Sequence, residues 1–150
     1  MNNPDASVVI ERELKAPVER VFSAWTDPTK LCRWFRASEA LEIASVDVDL
    51  QVGGMYRIVL KDPEDTMVVF GRYTKIDAPH LLEFTWQWEV SSLEPGETLV
   101  LLELFPHGIG TLMRLTHSRF STERSHQAHD KGWNGVLATL TAFVESEDPS

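Results

Sequence analysis

Apolar positions recur with two different periods along this chain, and each change of period marks a new element. From Leu81 to Val90, Leu82, Phe84, Trp86 and Trp88 fall on one side and Glu83, Thr85, Gln87 and Glu89 on the other. That two-residue alternation predicts a half-buried antiparallel strand. Tyr56, Ile58 and Leu60 alternate with Arg57 and Lys61, and Met113, Leu115 and His117 oppose Arg114 and Thr116. Val100, Leu102 and Leu104 repeat the pattern, blurred by Leu99 and Leu101, while Val8, Ile10 and Leu14 form a first strand. Turn chemistry separates the runs at Gly53-Gly54, Asp62-Pro63-Glu64-Asp65, Asp77-Ala78-Pro79, Pro95-Gly96 and Pro106-His107-Gly108. A sheet patterned on one face needs an apolar body to cover it.

Helical spacing supplies that body. From about Thr122 to Ser146, Trp133, Val136, Leu137, Leu140, Phe143 and Val144 form one apolar stripe. Gly132 and Gly135 interrupt it, each costing about 1 kcal/mol against alanine, which predicts close approach of this helix to the sheet or to a ligand. Between Ala16 and Phe35 the spacing predicts two short helices folded back on each other. Pro17 fits a first helical turn, Val18, Val21, Phe22 and Trp25 share a face, and Thr26-Asp27-Pro28 ends the first helix. Asp27 is then the cap of a second helix bearing Leu31, Trp34 and Phe35. Cys32, beside Leu31, is expected to be buried or half-buried and inert.

The Ala16–Phe35 pattern resembles the opening of the SRPBCC, or START-like, superfamily, and most closely its subfamily of homologues of the activator of the ninety-kilodalton heat-shock-protein ATPase. The resemblance continues through Asp49 to Arg57 with its Gly-Gly hairpin, Gly71-x-Tyr73-x-x-Ile76-Asp77-x-Pro79 and Leu82-x-Phe84-Thr85-Trp86-x-Trp88. It ends with Gly110 to His117 and His129-x-x-Gly132-Trp133-x-x-Val136-Leu137-x-x-Leu140. Gln51 and Leu112 depart from it, at positions that are more often basic and polar. The resemblance implies an α+β helix-grip (START-like, Bet v-like) fold, in which a curved antiparallel sheet grips a long C-terminal helix and two short helices follow the first strand. The expected order is β-α-α-β-β-β-β-β-β-α.

Composition narrows the function. With 150 residues and 43% hydrophobic content, the chain reads as one domain over 1–150 with an ordered core of about 7–146, its two tails fraying. A formal charge of −9 disfavours nucleic acid and anionic membrane surfaces as partners. The single cysteine forms no internal disulfide, and no run of about 18 apolar residues is present to span a bilayer. The reading is a cytoplasmic protein, monomer or homodimer.

Two short helices, a long helix and a concave sheet leave a gap between them, and the aromatic residues would line it. Trp25, Trp34, Phe84, Trp86, Trp88 and Trp133 are the candidate walls, with Tyr56, Tyr73, Met113, His117 and Leu137 from neighbouring apolar faces. The ordinary alternative is that these rings simply pack the core. Arg12 shares the side of Val8, Ile10 and Leu14, and so pairs with a carboxylate such as Asp27, snorkels to the rim, or receives a ligand carboxylate. Tyr73 and His117 are by default satisfied core polar groups.

His126, His129 and Trp133 follow i, i+3, i+7 spacing, and His129 could reach the height of His117. A histidine-only metal site is thus geometrically open, but no cysteine or carboxylate completes usual zinc spacing, so no metal and no cofactor is expected. Catalytic motifs are absent: no G-x-S-x-G, H-E-x-x-H, P-loop or G-x-G-x-x-G occurs, and Glu11/Glu13 and Glu83/Glu89 fall on solvent faces. Non-enzymatic binding of a small apolar or amphipathic ligand between the long helix and the sheet is the first reading. The resemblance implies a second, a co-chaperone-like domain acting on a heat-shock chaperone. A third is a cyclase- or hydrolase-like enzyme using His117, Tyr73 or Arg12.

Overall fold

A computed structural model describes residues 7–38, 40–89 and 96–146. The tails 1–6 and 147–150 and the turn residue Pro95 lie outside the described residues. Strand β1 (Val8–Leu14) is followed by helices α1 (Val18–Thr26) and α2 (Pro28–Trp34). Six strands come next: β2 (Glu42–Val48), β3 (Met55–Lys61), β4 (Thr66–Asp77), β5 (Leu81–Trp88), β6 (Thr98–His107) and β7 (Gly110–Ser118). Helix α3 (Glu123–Ser146) closes the chain. The order is the expected one, and the long helix begins one residue later than its spacing predicts.

All seven strands pair antiparallel in one sheet, in the order β1-β7-β6-β5-β4-β3-β2. The alternation read from the sequence sets which side is dry: Val100, Leu102 and Leu104 on β6 and Met113, Leu115 and His117 on β7 are buried. Opposite pairs such as Leu102↔Leu115 and Leu104↔Met113 align these faces across the ladder. Bulges between Ile43 and Ser45 and between Tyr73 and Lys75 shift the register, a device that bends strands and increases their twist. At the β2–β3 turn Gly53 takes φ 87°, where a side chain would be strained.

Helix α3 lays Trp133, Val136, Leu137, Leu140 and Val144 on the dry face. Phe143, counted in the stripe, is only partly buried, with the Arg33 guanidinium 5.1 Å above its ring. The helix is tied along β1 and the chain beside it: Asn134 Oδ1 accepts from Arg12 Nη2 (2.7 Å) and Glu145 from the Lys15 amide (3.0 Å). A Cβ on Gly135 would fall on the carbonyl oxygen of Ala37. The close approach expected at Gly135 is therefore to the segment after α2 rather than to the sheet.

The two short helices fold back as their pattern requires. Asp27 Oδ1 caps α2 by accepting from the Thr29 amide (2.9 Å) and hydroxyl (2.7 Å). Those bonds, the hydroxyl's foremost, lower the Asp27 carboxyl from its ordinary value. Leu31 and Trp34 are buried, and the Trp34 indole donates to the Ala24 carbonyl of α1 (2.9 Å). Cys32 is exposed, which corrects the expectation of burial: one residue past Leu31 it is turned about 100° away from the helix's buried face.

Candidate functional site

The N-terminal half of α3 borders a cavity of about 370 Å³. Ala128, His129, Gly132, Trp133 and Val136 follow helical spacing, and they line it together with Trp86 and Trp88 of β5. Leu60, Asp65 and Met67 close it from the β3–β4 hairpin, and Phe35, Arg36, Ala37 and Leu41 from the segment joining α2 to β2. The size lies within the range of small-molecule pockets, which are mostly apolar with a few placed polar groups. A second chamber of about 20 Å³ adjoins it, lined by Trp25, Tyr56, Tyr73, Phe84 and others, with Phe35 and Trp86 in both walls.

The aromatic residues between the chambers form one contact network. Trp86 and Trp133 lie 5.0 Å apart between ring centroids, Trp86 and Trp88 5.5 Å at 90°, and Phe35 6.0 Å from Trp86 and 6.1 Å from Trp133. Such edge and tilted contacts set ring positions better than greasy packing alone does. Hydrogen bonds fix three of the groups further. Trp88 donates its indole N–H to Nε2 of His129 (3.0 Å), so the other ring nitrogen, Nδ1, is the donor to the Ser125 carbonyl (2.9 Å). Trp133 donates to Nδ1 of His117 (2.9 Å), and Nε2 of His117 lies 2.6 Å from the Thr98 hydroxyl.

Burial, and then the nearby His129, hold His117 well below its usual protonation range. It is a neutral core group. The rings of His117 and His129 lie 5.0 Å apart, as the spacing allowed, but all four nitrogens face hydrogen-bonding partners. Among the described residues no group of three or more histidine, cysteine or acidic side chains is placed to hold a metal. Burial also raises the Tyr56 and Tyr73 phenols, Asp49 adding to the shift at Tyr73, and Tyr56 donates to the Thr85 carbonyl.

The expected wall residues divide between several places. Trp86, Trp88 and Trp133 line the larger cavity, and Trp25, Tyr56, Tyr73, Phe84 and Trp86 the smaller one. Trp34, Met113, His117 and Leu137 are fully buried outside both. Arg12 is on neither wall: its guanidinium donates to the Glu11 carbonyl (2.9 Å) and Asn134. The suggested Asp27 partner is not its partner, because Asp27 is engaged at the start of α2.

Several wall residues were not expected. Phe35 and Val136 were read as apolar face positions only, and Arg36, Leu41, Asp65 and Met67 lie in or beside turns where periodicity carries no signal. At Gly132 the expected close approach to the sheet is absent: no atom lies within 4 Å of a Cβ built there, and the residue borders the cavity instead.

The model of the family described as activator of Hsp90 ATPase homolog 1-like protein matches residues 15–145. Among solved structures, a protein from Chromobacterium violaceum is similar at 24% identity and TM-score 0.83, over 95% of this chain and 99% of that one. An AHSA1-like protein from Aeromonas hydrophila is similar at 24% identity and TM-score 0.78, over 93% and 92%. CalU16 from Micromonospora echinospora shares 28% identity at TM-score 0.70, over 93% of this chain and 76% of its own. No curated protein matches the chain. Among the described residues, no helix is long and apolar enough to cross a membrane.

Proposed function

The chain belongs to the family of activator of Hsp90 ATPase homolog 1-like proteins, and on that premise we propose that it binds a small apolar or amphipathic molecule between α3 and the sheet, without catalysing its conversion. The observation that carries this reading is the cavity of about 370 Å³ whose walls include Trp86, Trp88 and Trp133. Covering apolar surface stabilises a complex by about 25 cal/mol per Å², which suffices for binding with no catalytic group. The lining residues include no serine, threonine, cysteine or lysine, and both nitrogens of the one lining histidine face partners in the fold. That favours a binder over the cyclase- or hydrolase-like alternative.

The family description favours a second reading, a co-chaperone-like domain that acts on a heat-shock ATPase. The two are separated by titrating the protein with N-phenylnaphthylamine, a neutral dye that brightens in apolar surroundings. Saturable brightening at one site per chain, with quenching of tryptophan emission, supports the cavity reading. No binding, together with acceleration of a heat-shock chaperone's ATPase on adding the protein, would overturn it in favour of the chaperone reading.

A further inference from the structure

Among the described residues, three buried side-chain polar atoms have no hydrogen-bond partner: Nε1 of Trp25, Nε of Arg36 and Nε1 of Trp86. Native interiors leave few such atoms, and each calls for an explanation. All three are donors, and all three belong to cavity walls: Arg36 and Trp86 line the larger chamber, Trp25 and Trp86 the smaller. The other three indoles use their donors, Trp34 on Ala24 and, on the wall of the larger chamber, Trp88 on His129 and Trp133 on His117. The unmet demand is for acceptors, and it falls on residues that line the two chambers.

Arg36 adds charge to that demand. Its backbone is anchored, its amide donating to the Trp34 carbonyl (2.7 Å) and its carbonyl accepting from Thr139 (3.3 Å). Its guanidinium makes one long bond, from Nη1 to the Leu41 carbonyl (3.3 Å), and no carboxylate among the described residues pairs with it. Asp65 lines the same cavity but accepts from the Thr66 amide in its own turn (2.8 Å). A half-buried guanidinium on a cavity wall, with no carboxylate partner among the described residues, offers a positive charge and N–H donors to a ligand carboxylate. The net charge of the chain, −9, repels anions in general, so a preference for one at this site is a local property.

We infer that the ligand is a carboxylate with a flat apolar body, its acid group on the Arg36 guanidinium and its body in the larger chamber against Trp88 and Trp133. This rests on the cavity reading above and deepens it. The smaller chamber has room for about one water-sized group, so the body occupies the larger.

The test compares naphthylacetic acid with its primary amide, which keeps the shape and the carbonyl oxygen but loses the charge. By titration calorimetry the acid should bind about 10-fold or more tightly than the amide, the scale of a charge-assisted bond. Arg36→Met should weaken the acid by about that factor and leave the amide within about twofold, while Arg36→Lys should keep part of the acid preference. Arg12→Met, outside the cavity, should change neither. N-phenylnaphthylamine is titrated in parallel. If it binds but acid and amide do not differ, or Arg36→Met affects both alike, the carboxylate assignment is overturned and the cavity reading stands. If none of the three compounds binds, both fall together.

Discussion

The indole N–H of Trp133 points at Nδ1 of His117 from 2.9 Å, and this one bond decides where the His117 proton sits. Nδ1 must be the acceptor, so Nε2 carries the hydrogen and donates to the Thr98 hydroxyl, which in turn donates to the Trp86 carbonyl (2.9 Å). The relay joins α3 to β7, β6 and β5 behind the cavity wall. It holds Trp133 while leaving its ring face to line the space. A second proton on His117 would set Nδ1–H against the indole N–H, with no acceptor to receive either.

Stability should therefore fall in mild acid. The folded His117 stays neutral well below its ordinary value, whereas in the unfolded chain it takes up a proton near pH ~6.5. Below that pH the unfolded state binds more protons, so stability declines with falling pH, by up to about 1.4 kcal/mol per unit for this group. Urea unfolding at about pH 7.5 and about pH 5.5 measures the slope. His117→Phe should cost about 1–3 kcal/mol at the higher pH, by stranding the Trp133 indole N–H and taking away the donor to the Thr98 oxygen, yet show a flatter profile between the two. A variant with the full wild-type slope would place the titration elsewhere.

Asp27 acts with the same sign, in a more acidic window. Its carboxylate caps α2 through Thr29, so Asp27→Ala should lower stability by about 1 kcal/mol at neutral pH. Because its carboxyl is held below the ordinary value, the cap is complete above about pH 4 and is lost as pH falls through the lowered value. Thermal melts of both proteins should accordingly converge in strong acid. A constant difference at all pH values would mean the side chain acts by packing.

Arg12→Met should be close to silent. The guanidinium bonds to Asn134 and to the Glu11 carbonyl in partly exposed surroundings, and surface polar contacts are typically worth less than about 1 kcal/mol. Chemical denaturation should show a change of that size, and ligand affinity should not move. Loss of carboxylate binding in this variant would show that Arg12 reaches the cavity after all.

The fold was legible because period carries it. Leu82, Phe84 and Trp86 alternate as a strand does, Trp133, Leu137 and Leu140 recur as a helix does, and Asp27 stands where a cap must. The cavity was legible only in its regular half. Trp86, Trp88 and Trp133 lie on elements whose faces can be read, whereas Arg36, Leu41 and Asp65 reach the same space from irregular segments whose path depends on tertiary packing. Arg12 misled for a related reason. Strand parity puts it on the dry side, but β1 is an edge strand, and the long side chain turns out along α3 to Asn134.

Gly132 and Gly135, three residues apart on α3, should separate stability from binding. Both weaken the helix by the same local amount, about 1 kcal/mol relative to alanine. At Gly132 a Cβ meets nothing within 4 Å, so Gly132→Ala should gain most of that in stability. At Gly135 a Cβ falls on the Ala37 carbonyl oxygen, which is backbone and yields only if the segment after α2 shifts. Gly135→Ala should therefore destabilise the protein, by about 1–3 kcal/mol on the scale of overpacking. Gly132 also borders the cavity, so Gly132→Phe should place a ring in the ligand's space. That variant should melt near the wild-type temperature and bind N-phenylnaphthylamine at least about 10-fold more weakly, the factor for about 1.4 kcal/mol of lost binding energy. A folded Gly132→Phe protein with undiminished dye affinity would show that the dye binds outside this cavity.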